Sequence, residues 1–171
     1  VGKSTLFNRL TGTRKSIVGD EPGITRDRIY GDVEWKSRTF ELVDTGGIVP
    51  DDEAIIPANI FKQAGFAIDK SQAIIWVVDA RAGVTPLDEE ISVYLRNIGK
   101  PVFIAANKSE SRKVEEEAAE FYQFGFELTP LSAEHGTSVG DLLDMVFDVL
   151  QFDEEIDEAP SDEIKLAIIG R

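Results

Sequence analysis

The chain has 171 residues, of which 42% are apolar and 29% charged, with a net charge of −14 and no cysteine. These figures fit a single globular domain with a sizeable core, and they exclude a disulfide scaffold, a thiolate metal site and a surface built to coat nucleic acid. No apolar run approaches the roughly 20 residues of a membrane span, so no membrane partner is expected, and the lack of cysteine is compatible with the expected cytoplasmic location.

Val1-Gly2-Lys3-Ser4-Thr5 reads as the second half of a phosphate-binding loop, whose full pattern is Gly, any four residues, Gly, Lys, then Ser or Thr. Gly2 lets the backbone approach a phosphate, Lys3 sets a point charge on the outer phosphates, and Ser4 offers a hydroxyl to magnesium. Leu6, Phe7 and Leu10 have helical spacing, so a helix starts here and ends near Thr11 and Gly12. Its first N–H groups and dipole would face the anion.

Residues 13–28 show no period and carry the turn signal Pro22-Gly23. A loop of this length inside a compact domain is functional or mobile. Its Thr25 hydroxyl would reach magnesium only when a third phosphate draws the loop inward. Ile29–Trp35 alternates as a strand, and after a turn at Lys36-Ser37-Arg38 a second strand covers 39–43, forming a hairpin. Directly after it comes Asp44-Thr45-Gly46-Gly47. Asp44, at a strand tip, can hold magnesium through its water shell, and Gly47 can give its N–H to a terminal phosphate.

A helical period covers 58–70. The apolar run 73–78 suits a strand buried on both faces, and Asp79 ends it. Pro86–Ile98 reads as a helix with Pro86 in its first turn. A buried strand at 102–106 delivers Asn107-Lys108-Ser109-Glu110. An amphipathic helix at 112–124, with Tyr122 on its apolar side, precedes a strand at 126–131 that delivers Ser132-Ala133. A last helix covers 139–150. Between Phe152 and Glu163 lie seven acidic residues and no basic one, a solvated linker. Residues 164–171 are a strand pattern ending in Gly170-Arg171.

Strands alternating with helices imply an α/β fold: a mostly parallel sheet with helices on both faces and one antiparallel hairpin at its edge. Ligands of such sheets bind beyond the carboxyl ends of the strands, where Asp44, Asn107 and Ser132 all fall. The Glu110 carboxylate can accept from the ring N–H and exocyclic amine of guanine, which adenine cannot match. The Lys108 stem can lie over the base, and Ser132-Ala133 would complete the pocket with an N–H to the guanine carbonyl.

Taken together, Gly2-Lys3-Ser4, Thr25, Asp44-Thr45-Gly46-Gly47, Asn107-Lys108-Ser109-Glu110 and Ser132-Ala133 resemble a translational-type GTPase of the P-loop NTPase class. Residues 1–10, 22–27 and 44–48, with the acidic linker and residues 164–171, are closer still to the bacterial double-GTPase family called Der or EngA, in its first GTPase domain. The resemblance implies a GTPase domain at 1–150 that lacks its first strand and half its phosphate loop, a linker at 151–163, and at 164–171 the opening strand and loop of a second GTPase domain. It implies GTP and GDP as ligands, held by Gly2, Lys3, Ser4, Thr5, Asp44, Gly47, Asn107, Lys108, Glu110, Ser132 and Ala133. It implies Mg2+ on Ser4, Thr25 and Asp44. It also implies a role in assembly of the large ribosomal subunit, with that subunit or its RNA as partner.

Two departures stand out. Glu110 replaces the family's Asp, which moves the carboxylate by one methylene. Ile48 stands where Ras-like GTPases carry a water-orienting Gln, so no side chain here is an evident catalyst, and the resemblance implies Lys3, Thr25 and Gly47 as the groups that stabilise the transferred phosphate. Many family members use potassium in place of an arginine finger, through an asparagine expected before Val1, so the resemblance leaves K+ open as a cofactor. A nucleotide-binding module without turnover and an ATPase are the rival readings, and Asn107-Lys108 argues against the latter. Trp35 and Trp76 read as packing residues, and His135, the single histidine, as a structural or solvent-facing loop residue. A further expectation is that residues 164–169 fill the vacant first-strand slot of the sheet.

Overall fold

The computed structural model describes residues 2–12, 29–46, 57–152 and 165–170. Thr25, Gly47, Ile48 and the acidic run at 153–163 lie outside the described residues. The elements, in order, are α1 (Lys3–Thr11), β1 (Ile29–Trp35), β2 (Arg38–Asp44), α2 (Pro57–Lys70), β3 (Ala73–Asp79), α3 (Pro86–Ile98), β4 (Val102–Asn107), α4 (Arg112–Ala118) running into a 3₁₀ turn (Ala119–Phe124), β5 (Glu127–Pro130), α5 (Val139–Val149) and β6 (Leu166–Gly170).

The six strands form one sheet in the order β1-β2-β6-β3-β4-β5. Only β1 and β2 are antiparallel; the other pairings are parallel. Lys36 and Ser37 both have positive φ, 48° and 63°. That two-residue geometry matches the right-handed twist of the strands it joins. The slot between β2 and β3 is filled by β6: Leu166 pairs with both Leu42 and Ala73, and Ile168 with both Asp44 and Ile75. Thr45 extends the seam, donating from its N–H and its hydroxyl to the Ile168 carbonyl at 3.2 and 2.8 Å.

Strand alternation divides the core into two layers. Ile75, Val77 and Ile168 face α1 and α5, where Leu6, Phe7, Leu10, Leu142 and Val146 are buried. Ile74, Trp76, Val78 and Ile169 face α2, α3 and the 3₁₀ turn. Each fully buried large side chain contributes about 1.5–3 kcal/mol, and helices on both faces explain why β3 is apolar without a break. The α3 helix begins with a capping box: Thr85 accepts from the Asp88 N–H, and Asp88 from the Thr85 N–H.

One expected helix departs from its periodicity. The segment at 112–124 tightens at Ala119 into a 3₁₀ turn, which puts Phe121 and Phe124 on one face, both buried, three residues apart. Tyr122, expected on the inner side, is turned outward and 58% exposed. Trp76 packs as expected against Phe124 and Phe126. Trp35 is half-buried and also donates to Asp144 Oδ1 at 3.0 Å.

Candidate functional site

Strands β2, β3, β4 and β5 all deliver their last residues to one edge of the sheet, and α1 starts there. Gly2 caps α1 in a left-handed conformation, φ 85°. A side chain at Gly2 is excluded twice, because a Cβ would also lie 2.3 Å from Asn107 Nδ2. Lys3, 9% exposed, bends onto Asp44, its Nζ 3.3 Å from Oδ1. The same oxygen accepts the Gly46 N–H at 3.0 Å. A Cβ on Gly46 would fall 1.5 Å from Lys3 Nζ, so the glycine makes the cradle in which the ammonium sits.

Asp44 Oδ2 is buried with no hydrogen-bond partner. An orphaned carboxylate oxygen beside a buried lysine fits a hard cation or one of its waters. Among the described residues no three acidic or histidine side chains gather into a self-sufficient metal cage. Magnesium does not need one, since it takes one or two carboxylates and completes its shell with water and phosphate. Ser4 and Thr5 are exposed on the first turn of α1.

The other half of the site hangs on Asn107. Its Oδ1 accepts the Ala133 N–H at 2.8 Å, while its Nδ2 abuts Gly2. The N–H expected to meet a base carbonyl is therefore held by Asn107 in this structure. Arg9 of α1 ties the same loop down, its Nε donating to the Ala133 carbonyl at 2.9 Å and its Nη2 to the Glu134 carbonyl. Ser109 is buried and donates from its N–H to the Leu131 carbonyl, joining the loops after β4 and β5.

Lys108 sits at φ 70° and its Nζ pairs with Asp79 Oδ2. Burial pushes the Asp79 carboxyl up, but the Lys108 hydrogen bond and charge, with the Arg81 and Ala82 N–H groups, outweigh it and hold the group below its ordinary value. Glu110 accepts from Ser132 Oγ at 3.2 Å through Oε1 and from Arg81 Nη2 through Oε2. The Ser132 hydroxyl also accepts the His135 N–H, while the His135 side chain is exposed as expected.

Of the expected residues, Gly2, Lys3, Asp44, Asn107, Lys108, Glu110, Ser132 and Ala133 gather at this edge. Gly46, named only as part of its motif, joins them, as do Arg9, Asp79 and Arg81, to which the motifs assign no role. A signal existed for Asp79 and Arg81: an acid and a base immediately beyond a buried parallel strand stand where such sheets bind ligands.

The family model described as "50S ribosome-binding GTPase" matches residues 1–108. Proteins named GTPase Der from Caldicellulosiruptor saccharolyticus and Myxococcus xanthus are each 50% identical over the whole chain, which spans 39% of their length. Among solved structures, Era of Aquifex aeolicus bound to GDP·AlF4− superposes with a TM-score of 0.71 at 29% identity, covering 96% of this chain and 57% of that one. Elongation factor SelB of Methanococcus maripaludis bound to GppNHp shares the fold, with a TM-score of 0.66 at 20% identity, covering 94% of this chain and 33% of that one.

Proposed function

The chain belongs to the 50S ribosome-binding GTPase family, and from that premise we propose that it binds GTP with Mg2+ and hydrolyses it to GDP and phosphate. Asn107 carries the reading. Its Nδ2 abuts Gly2 beside the phosphate loop and its Oδ1 holds Ala133 of the loop after β5, so one side chain ties together the two loops that would hold phosphate and base.

In this reading the α1 N–H groups and Lys3 take the outer phosphates, and Lys3 exchanges Asp44 for the anion as nucleotide enters. Magnesium, when bound, would neutralise charge on the phosphate oxygens, with Ser4, Thr25 and Asp44 as its protein contacts. Water attacks the terminal phosphorus as the bond to the bridging oxygen breaks and GDP departs. Lys3, Thr25 and the Gly47 N–H stabilise the charge on the transferred group. Lys108, Glu110, Ser132 and Ala133 read guanine.

Fluorescent GTP and ATP, each competed with GDP, test the assignment on the 171-residue chain, with phosphate release followed in potassium and in sodium buffer. Equal affinity for ATP would refute the guanine reading. GTP binding without phosphate release above buffer would leave a binding module.

The relatives' lengths support a longer protein. We assign 151–163 as its linker and 164–171 as the opening of a second GTPase domain, although residues 166–170 here lie in the first sheet. We assign the whole protein to large-subunit assembly in the cytoplasm; among the described residues no helix is long and apolar enough to cross a membrane. Cosedimentation with large ribosomal subunits in GTP, and its loss in GDP, is the expected result.

A further inference from the structure

The turn after β3 lies outside the motifs that carry the nucleotide reading, yet it reaches two of their residues. Asp79 is its hub: Oδ1 accepts the Arg81 N–H at 3.0 Å and the Ala82 N–H at 3.3 Å, and Oδ2 takes Lys108 Nζ. The turn so fixed sends the Arg81 guanidinium to Glu110 Oε2. Ser132 Oγ donates to the other carboxylate oxygen, Oε1, at 3.2 Å.

Glu110 is one methylene longer than the Asp it replaces, so its carboxylate extends roughly 1.5 Å further and turns about one more bond. A free glutamate would spread over several rotamers. We infer that Arg81 is a positioning residue for base selection: with Ser132 it fixes the Glu110 carboxylate so that this longer acid reads guanine. This rests on the assignment of the site to a guanine nucleotide.

The lone-pair count agrees. An ionised carboxylate has about four acceptor sites, two on each oxygen. Arg81 and Ser132 take one on each, which leaves one on each oxygen for the two parallel N–H donors of guanine. Because the Arg81 side chain is 59% exposed, its pairing is screened by water, and the effect on affinity is modest.

The test compares GDP with IDP, whose base lacks the exocyclic amine, on the full chain and on Arg81→Ala, Arg81→Gln and Arg81→Lys. In the first two, GDP affinity falls about fivefold and IDP affinity less than twofold, so the preference for GDP shrinks. Arg81→Lys recovers part of the preference. In Glu110→Asp, whose shorter carboxylate draws away from the guanidinium, adding Arg81→Ala changes the preference little. Equal losses for GDP and IDP would mean a structural role and overturn the inference, as would an unchanged ratio. If Arg81→Ala fails to fold, Arg81→Gln decides. Failure of the unaltered chain to bind GDP would instead refute the nucleotide site itself.

Discussion

Gly46→Ala separates the position of Lys3 from the stability of the fold. The added Cβ would meet Lys3 Nζ at 1.5 Å and Cε at 2.8 Å, while Asp44 Oδ1 lies 3.9 Å away. Ordinary contact begins near 3.4 Å, so Nζ must retreat by about 2 Å. Gly46 has no left-handed φ, so alanine fits its backbone. Nζ is 3.3 Å from Oδ1 and lies to one side of the line from Gly46 to that oxygen. A sideways retreat of about 2 Å therefore leaves the two roughly 3.5 Å apart, and the ion pair survives. The expected loss of stability is below about 1 kcal/mol, a fall in Tm of at most about 4 °C. The loss of function is much larger, because a displacement of about 1 Å in a positioning group can reduce turnover on the order of a hundredfold. Thermal unfolding and GTP turnover on the same preparation give both numbers. Turnover within threefold of the unaltered chain would refute the view that Lys3 works from this cradle. A collapse of Tm would refute the geometry of its retreat.

Asn107→Ala strands the buried Ala133 N–H, at about 1–3 kcal/mol, and should lower Tm by several degrees while weakening both GDP and GTP; unchanged affinity in titration calorimetry would contradict its role in tying the two loops together. Ile168→Ala, at the centre of β6, should destabilise by about 2–5 kcal/mol in urea unfolding, whereas a loss under 1 kcal/mol would mean that the strand is not packed as described. For Asp79→Asn the comparison is with pH. The folded carboxyl titrates below 3.8, so its stabilisation is present above the unfolded value and lost as pH falls through the folded one. The Tm difference between the two chains should hold from pH 7 to 5 and shrink below about pH 4; a constant difference down to pH 3 would remove Asp79 as its source.

Much of this architecture is legible in the residues. The unbroken apolar run of β3 announces burial on both faces, and the alternation of β1 announces a half-covered hairpin. What periodicity does not carry is how a helix end tightens. Val114, Ala118 and Phe121 fit an α-helical stripe, but from Ala119 the turn tightens to 3₁₀ spacing, which stacks Phe124 under Phe121 and leaves Tyr122 outward. In the site, motif spacing picks out Lys3 at the start of α1 and Asp44 and Asn107 at strand ends, and the fold brings the three together. Arg81 escapes such reading because its partner Glu110 lies 29 residues away, and only the parallel pairing of Asp79 with Asn107 brings the two turns side by side.

The order of the strands has a bearing on how the site holds together. Lys3 and Asp44 belong to the part of the molecule built on β1 and β2, and the base-reading side chains to the part built on β3, β4 and β5. Within the described sheet, β6 alone is hydrogen-bonded to both parts. Its partners lie 124 residues away in β2 and 93 in β3, counted from Leu166 to Leu42 and to Ala73. In the proposed reading, phosphate grip and base choice are thus two half-sites that meet at β6. Residues 166–170 join the two parts within the sheet, while Asn107 and Arg9 join them across the loops above it.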